Sequence, residues 1–349
     1  MEGIINKRGK LLELIRAPST FAANYSGLLD SYAFLRRKLT KSQVAILMYH
    51  RVCSNMNNWT IEPLSPESFE KQIRYFCRGY EILPLERLVQ YIQEGECLPE
   101  KAVAITFDDG YKDNYLYTYP ILKRYNVPAT IFLTTGHIGT GELFWSDKVR
   151  YVIHHTTKKQ LELDELGNFA LQSKSDKAFA TYKITERLKK LPEEKKNLSI
   201  QRLITVCQVD IPANLGKELI LSWDEVREMS NSGITFGAHT VSHPILTNLH
   251  LQQAKWEITK SKEDIEKELQ QPVKFFAYPN GTYRDFNDEI AEFVKDCGFT
   301  CAVTMVPEWI TQQANLYKLG RIGMRNNFNE FKVLLSGLYH DFRLDIFFQ

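Results

Sequence analysis

The chain has 349 residues, 44 Lys+Arg against 42 Asp+Glu, a formal net charge of +2 and 44% hydrophobic residues. So even a balance excludes the basic excess of a dedicated nucleic-acid binder, and the apolar content excludes an intrinsically disordered chain. At roughly 150 residues per domain the length fits two domains, or one α/β barrel with extensions.

The first forty residues carry Lys7, Arg8, Lys10, Arg16, Arg36, Arg37 and Lys38 against Glu2, Glu13 and Asp30, interleaved with Ile4, Ile5, Leu11, Leu12, Leu14 and Ile15. This pattern predicts a basic helical extension over residues 1–40. It either rests on an anionic membrane surface or packs on the main domain or a second copy. From residue 41 to 349, short β-rich apolar runs alternate with amphipathic stretches. Val44–Tyr49 (VAILMY) is a buried strand candidate, and residues 65–79 form a helix opened by Ser65 with Pro66 in its first turn. A short strand around Ile82, a helix over Leu85–Gln93 and the strand Ala102–Phe107 (AVAITF) come next. A helix over 114–125 precedes a strand over 129–134.

Between residues 141 and 221 the strand pattern disappears, so this stretch reads as a helical insertion that shapes a groove or covers the site, for example the helical residues 182–191. The alternation then resumes with a helix over 223–232, a strand over 234–238, a helix over Leu251–Leu269, a strand over 274–278, a helix over 287–296 and a strand over 300–304. Repeated β-then-α units over about 300 residues imply a parallel sheet, with chemistry at the C-terminal ends of its strands.

Six cysteines are scattered through a chain too large to need disulfide staples. Cys297 and Cys301 have CxxxC spacing, but they bracket a helix end and a strand start, which favours packing over a metal or redox role. No apolar run approaches the ~18 residues of a membrane-spanning helix, and no signal-peptide core is visible, so the expectation is a cytoplasmic protein or one peripheral to the cytoplasmic membrane face.

Two stretches carry chemistry. AVAITF ends in Asp108-Asp109-Gly110, and adjacent acids at a strand end point in different directions, so one can hold a metal while the other acts as a base. Gly237-Ala238-His239-Thr240-Val241-Ser242-His243-Pro244 ends another apolar strand, and two imidazoles four residues apart converge on one ion if the segment turns helically. With Asp109 they supply two nitrogens and one oxygen, the ligand set of an open catalytic site.

The chain here resembles the polysaccharide deacetylases with a NodB-homology domain, carbohydrate esterase family four. The resemblance rests on Thr106-Phe107-Asp108-Asp109-Gly110, on His239-Thr240-Val241-Ser242-His243 and on Phe276-Ala277-Tyr278-Pro279-Asn280-Gly281, and spans roughly residues 44–324. It implies an α/β fold, a distorted (β/α) barrel with fewer closed strands than a regular one. It assigns Asp109, His239 and His243 to a divalent metal, most often Zn2+ with Co2+, Ni2+ or Fe2+ as alternatives, and Asp108 to the general base. Tyr278, Pro279, Asn280 and Gly281 would face the substrate, with a backbone N–H at the oxyanion. The implied substrate is an N-acetylated sugar or polysaccharide. A sugar O-acetyl esterase or deformylase using the same site, and a carbohydrate-binding barrel without chemistry, are the alternatives.

Two departures from the commonest family pattern matter. The general acid has no evident C-terminal histidine beyond His340, whereas His50 ends the first strand. This resembles the branch that includes poly-N-acetylglucosamine deacetylases, in which an N-terminal Tyr-His supplies the acid. The usual Arg-x-Pro-Tyr would place its arginine at Ala277. Arg321, in Leu319-Gly320-Arg321-Ile322, resembles a late feature of that branch and is the candidate replacement. Trp145 and Trp223 could stack on sugar rings or simply pack.

Overall fold

The computed structural model describes residues 43–54 and 63–338, together with Gly27, Ser31, Ala33, Leu35 and Arg36. The expected extension over 1–40 otherwise lies outside the described residues, as does His340. Arg36 is buried, donates to Gln43 Oε1 at 3.0 Å and lies over the Trp309 ring.

β1 (Val44–Tyr49) is buried at every residue, as a strand covered on both faces must be. Ser65 caps α1 (Pro66–Gly79) by accepting from Ser68 N–H, and Pro66 is pre-set for the first turn. β2 (Glu81–Ile82), α2 (Leu85–Gln93) and β3 (Ala102–Phe107) follow. The predicted helix over 114–125 divides into a π-helical turn, Asn114–Thr118, and α3 (Tyr119–Tyr125). Pro120 has no N–H to offer the carbonyl one α-helical turn back and its ring crowds it, so the ladder widens there. β4 (Thr130–Leu133) leads into the insertion.

The insertion comprises α4 (Trp145–His155), a hairpin of β5 (Gln160–Leu163) and β6 (Gly167–Ala170), α5 (Lys174–Leu188), α6 (Glu193–Cys207) and α7 (Leu215–Leu219). The hairpin corrects the expectation of an insertion without strands. Only Leu161 and Leu163 alternate with polar residues in β5, too short a signal against a polar background. The segment has a core of its own that includes Val149, Val152, Leu161, Ile184 and Leu203. Beyond it come α8 (Trp223–Asn231), β7 (Thr235–Ala238), α9 (Leu251–Leu269), β8 (Phe275–Ala277), α10 (Asp288–Asp296), β9 (Cys301–Val303), β10 (Ile322–Gly323) and α11 (Phe328–Ser336).

The main sheet is parallel throughout and runs β10-β1-β3-β4-β7-β8-β9. β2 pairs the first half of β3 and β4 the second, the stagger of a barrel wall. The sheet curls into a half-barrel, and the chain between β9 and β10 links its two edges: Leu319 bridges Val303 while Ile322 pairs with Leu47. Alternate strand residues divide between two cores. Ala45, Leu47, Val103, Ile105 and Ile131 pack in one, and Val44, Ile46, Ala104, Phe132 and Phe275 join α2 residues Leu85 and Leu88 in the other. Cys297 caps α10 and Cys301 opens β9, the helix-end and strand-start positions on which the packing reading rests.

Candidate active site and metal centre

His50 follows β1, Asp108 and Asp109 follow β3, and His239 follows β7, so the parallel sheet delivers all four to its C-terminal mouth. Asp108 N–H donates to Tyr49 O at 3.0 Å, and the chain then turns through two left-handed residues, Asp109 (φ 75°) and Gly110 (φ 79°). A Cβ on Gly110 would stand 2.9 Å from Leu133 Cδ2 and force that side chain to shift, and its φ of 79° is strained for any residue but glycine. Among the described residues, left-handed non-glycine positions fall into two groups. Asn126, Gln208 and Gln270 close helices, where this conformation is routine. Asp109, Thr240, His243 and Asn280 all lie in the motif segments, where the strain marks a conformation imposed by the surroundings.

The three side chains expected to hold a metal lie close together. Asp109, His239 and His243 each place a ligand atom within 4.8 Å of the others. His239 Nε2 lies 3.5 Å and His243 Nε2 3.4 Å from Asp109 Oδ1. The segment between the imidazoles is not helical, however. Left-handed Thr240 and His243 (φ 66° and 58°) fold it into a tight turn, which brings the rings together without a helix. His239 Nδ1 lies 2.7 Å from Ala277 O, and because a carbonyl only accepts, Nδ1 carries the proton and Nε2 presents its lone pair. Asp109 Oδ1 is buried with no hydrogen-bond partner. Such an orphaned oxygen, facing two imidazole nitrogens, fits a divalent cation.

Asp108 stands apart from this set. Both its oxygens accept from Arg321, Oδ1 from Nη1 and Oδ2 from Nη2, each at 2.6 Å. Arg321 is fully buried and also donates from Nε to Thr304 O at 2.9 Å. His50 Nε2 lies 3.9 Å from Asp108 Oδ2, on a side chain that is 27% exposed. The motif position where an arginine is usual, Ala277, is buried in β8. Burial pushes the Asp108 carboxyl up, but the Arg321 guanidinium overrides it and leaves the group below the usual carboxylate range. Burial likewise pushes Asp109 up, and the two imidazoles and His50 more than offset this. Burial pulls the His239 imidazole down, but Asp109 and Asp108 together raise it, so a cation at this site would compete with a proton. Burial drives His243 down to about 3, with Asp109 only partly compensating, so this imidazole is neutral and able to ligate.

The third motif is only partly available. Tyr278 is buried, its ring stacked on Phe286 at 3.9 Å and its hydroxyl donating to Tyr317 O, so its side chain packs in the core instead of facing a substrate. Tyr278 N–H and Gly281 N–H are both spent on carbonyls, and Pro279 has none to give. Asn280 Nδ2, by contrast, has no partner. Trp145 carries the Lys196 ammonium 4.8 Å from its ring centroid, and Trp223 packs on the main core.

Three supporting residues were not read from the sequence. Arg51 Nε donates to Asp113 Oδ2 at 2.7 Å, Val52 N–H to Asp113 Oδ1, and Asn114 Nδ2 to His50 O, which together fix the backbone that carries His50. Their signal was faint: charged or amide residues a few positions from each motif.

A carboxylate–imidazole cluster at the C-terminal mouth of a parallel half-barrel is the arrangement of a hydrolase site. Residues 95–302 match the polysaccharide deacetylase family, and the chain belongs to it. Over 294 residues it is 24% identical to YxkH of Bacillus subtilis (strain 168), a match covering 84% of this chain and 75% of that one. It is 30% identical over 139 residues to the poly-beta-1,6-N-acetyl-D-glucosamine N-deacetylase of Staphylococcus aureus (strain N315), covering 36% of this chain and 48% of that protein. Its fold is similar to Streptococcus pyogenes deacetylase PplD in complex with acetate (TM-score 0.57, 22% identity, 85% of this chain and 99% of that one). IcaB from Ammonifex degensii is similar at TM-score 0.54 and 16% identity, over 85% of this chain and 98% of that one.

Proposed function

We propose that this chain is a divalent-metal-dependent N-deacetylase that releases acetate from an N-acetylglucosamine-type polymer or glycoconjugate. The observation that carries the reading is the separation of roles at one barrel mouth: Asp109, His239 and His243 form a ligand set, while Asp108 is paired with Arg321 and lies within reach of His50. The name of the Staphylococcus aureus relative supports the substrate class.

A divalent ion on Asp109, His239 and His243, zinc in our reading, would polarise the acetyl carbonyl and acidify a water. Asp108, kept ionised by Arg321, takes the proton of the attacking water. Arg321 meets both carboxylate oxygens and so fixes the base in one orientation. The C–N bond breaks as His50 protonates the leaving nitrogen, since an unprotonated amide nitrogen is a poor leaving group. The products are a free amino sugar and acetate.

The test is acetate release from N-acetylated oligosaccharides by the purified full chain, before and after chelation. The expected result is release that chelator abolishes and added Zn2+ restores. Stoichiometric metal with no acetate from any N-acetylated polymer, oligosaccharide or nucleotide sugar would instead favour a carbohydrate-binding barrel.

A further inference from the structure

Near the site lies a buried carboxylate that takes no part in the chemistry above. Glu257 sits on the buried stripe of α9 with Ala254, Ile258, Ser261 and Ile265, and is 3% exposed. A charge on such a stripe is costly unless its oxygens are hydrogen-bonded. Glu257 Oε2 accepts from Val241 N–H at 2.7 Å and Ser242 N–H at 2.9 Å, and Oε1 accepts from Ser242 Oγ at 2.6 Å. All three donors belong to residues between the two imidazoles of the ligand set. Successive N–H groups that follow a left-handed residue, here Thr240, make a concave anion nest, and Glu257 fills it from within the chain.

The opposite side of the turn is held as well. Thr135 N–H donates to Thr240 O at 3.1 Å and Gly136 N–H to Val241 O at 2.8 Å. A Cβ on Gly136 would stand 2.7 Å from Val241 O, so the close approach depends on glycine. Thr240 Oγ1 accepts from His243 N–H at 3.1 Å. A β-branched residue resists a positive φ, so the turn keeps this form because its surroundings hold it.

We infer that Glu257 is a positioning residue for the metal centre. It holds the turn over residues 240–243 in the conformation that sets His243 Nε2 3.4 Å from Asp109 Oδ1. The inference rests on Asp109, His239 and His243 being the ligands. Glu257→Met keeps the length but removes both oxygens, leaving the Val241 and Ser242 amides without an acceptor, so the turn opens and His243 leaves its place; glutamine would not do this, because the Ser242 hydroxyl can reverse and accept from its NH2.

The experiment strips the full chain of metal and titrates it with Co2+ alone, following visible absorption, with thermal unfolding of the metal-free protein alongside. Wild type binds one Co2+ per chain. Glu257→Met weakens binding about 10- to 100-fold, the range for outer partners of metal ligands, and alters the absorption bands. Asp264→Asn is the control on the same helix: Asp264 accepts from Thr135 Oγ1 and Lys260 but does not touch the turn's amides, so this variant binds as wild type does. A purely structural role for Glu257 predicts lower thermal stability with Co2+ affinity and spectrum unchanged, and that result overturns the inference. If Glu257→Met does not fold, Ser242→Ala removes one of the three bonds and gives a smaller loss of affinity; wild-type affinity there overturns the inference equally. A wild-type chain that binds no Co2+ fells the reading of the centre itself, and this inference with it.

Discussion

Replacing Arg321 by methionine removes a guanidinium but keeps a long side chain in the space beside Thr106, Thr304 and Asp108. The arginine is fully buried and its fork meets both Asp108 oxygens at 2.6 Å. Breaking a buried pair from one side leaves an uncompensated charge, which costs about 3–5 kcal/mol. At roughly 2 °C per kcal/mol for a chain of this size, Tm falls by roughly 6–10 °C. The pH dependence separates this from a packing defect. In the wild type Asp108 is held below its ordinary value of 3.8, so its contribution to stability is present above that value and lost as pH falls through the lower folded value. In the variant, burial acts without the guanidinium and raises the carboxyl. Its contribution is then present at low pH and lost as pH rises, so the Tm gap is widest near neutrality and narrows toward about pH 4. Calorimetry of both metal-free proteins at the two pH values measures the gap, and kcat of the metal-loaded forms falls by about 10²–10⁴ as the base loses its orientation. A Tm gap independent of pH, or kcat within about twofold of wild type, would refute the argument.

Two substitutions test the division of labour between neighbouring groups. Asp108→Asn is expected to lower acetate release by about 10²–10⁴ while metal content per chain stays the same, because Asp108 is outside the ligand set. Measured by acetate assay and elemental analysis on one sample, loss of metal as well would mean that the carboxylates at 108 and 109 had been assigned the wrong way round. His50→Ala is expected to slow cleavage of an N-acetyl sugar more than that of the matching O-acetyl ester, since an alkoxide leaves more readily than an amine. Equal losses on the two substrates would remove His50 from the acid role.

The sequence was most legible where one period dominated. β1, α2, β3 and α9 fall on the residues predicted, because each is a run of apolar residues or an amphipathic stripe bounded by turn residues. Residue pattern failed where local chemistry competed with it. The stretch over 114–125 has helical periodicity, but Pro120 splits it into a π-turn and a short α-helix. The insertion hairpin offers two buried leucines on one strand and a single phenylalanine, Phe169, on the other, less than a periodic reading can detect. β10 has two residues and exists because the barrel edge beside β1 needs a partner, which is a tertiary requirement.

The site divides along the same line. Asp108-Asp109-Gly110 and His239 to His243 are local motifs, and each lies at the end of a strand, so spacing and topology together bring them to one mouth. What fixes Asp108 is of a different kind. A buried carboxylate requires an opposite charge at a place in space, and nothing in that requirement says which element supplies it. Here the guanidinium comes from the chain linking β9 to β10, 213 residues from Asp108, while Ala277 on β8 lends its carbonyl to His239. The link between the barrel edges is short of strand pairing, with Leu319 bridged to Val303 on one side and Ile322 to Leu47 on the other. Arg321 sits between those two anchors, so its backbone is fixed from both edges while its side chain runs into the mouth. An arginine there can take over the base without disturbing any strand of the wall. Resemblance could nominate it, but only the closure of the sheet brings it to Asp108. Glu257 follows the same logic on the other side of the site. Its sequence signal is a charged residue on a buried helical stripe, and the stripe alone does not reveal that the partners are the two amides between the histidines.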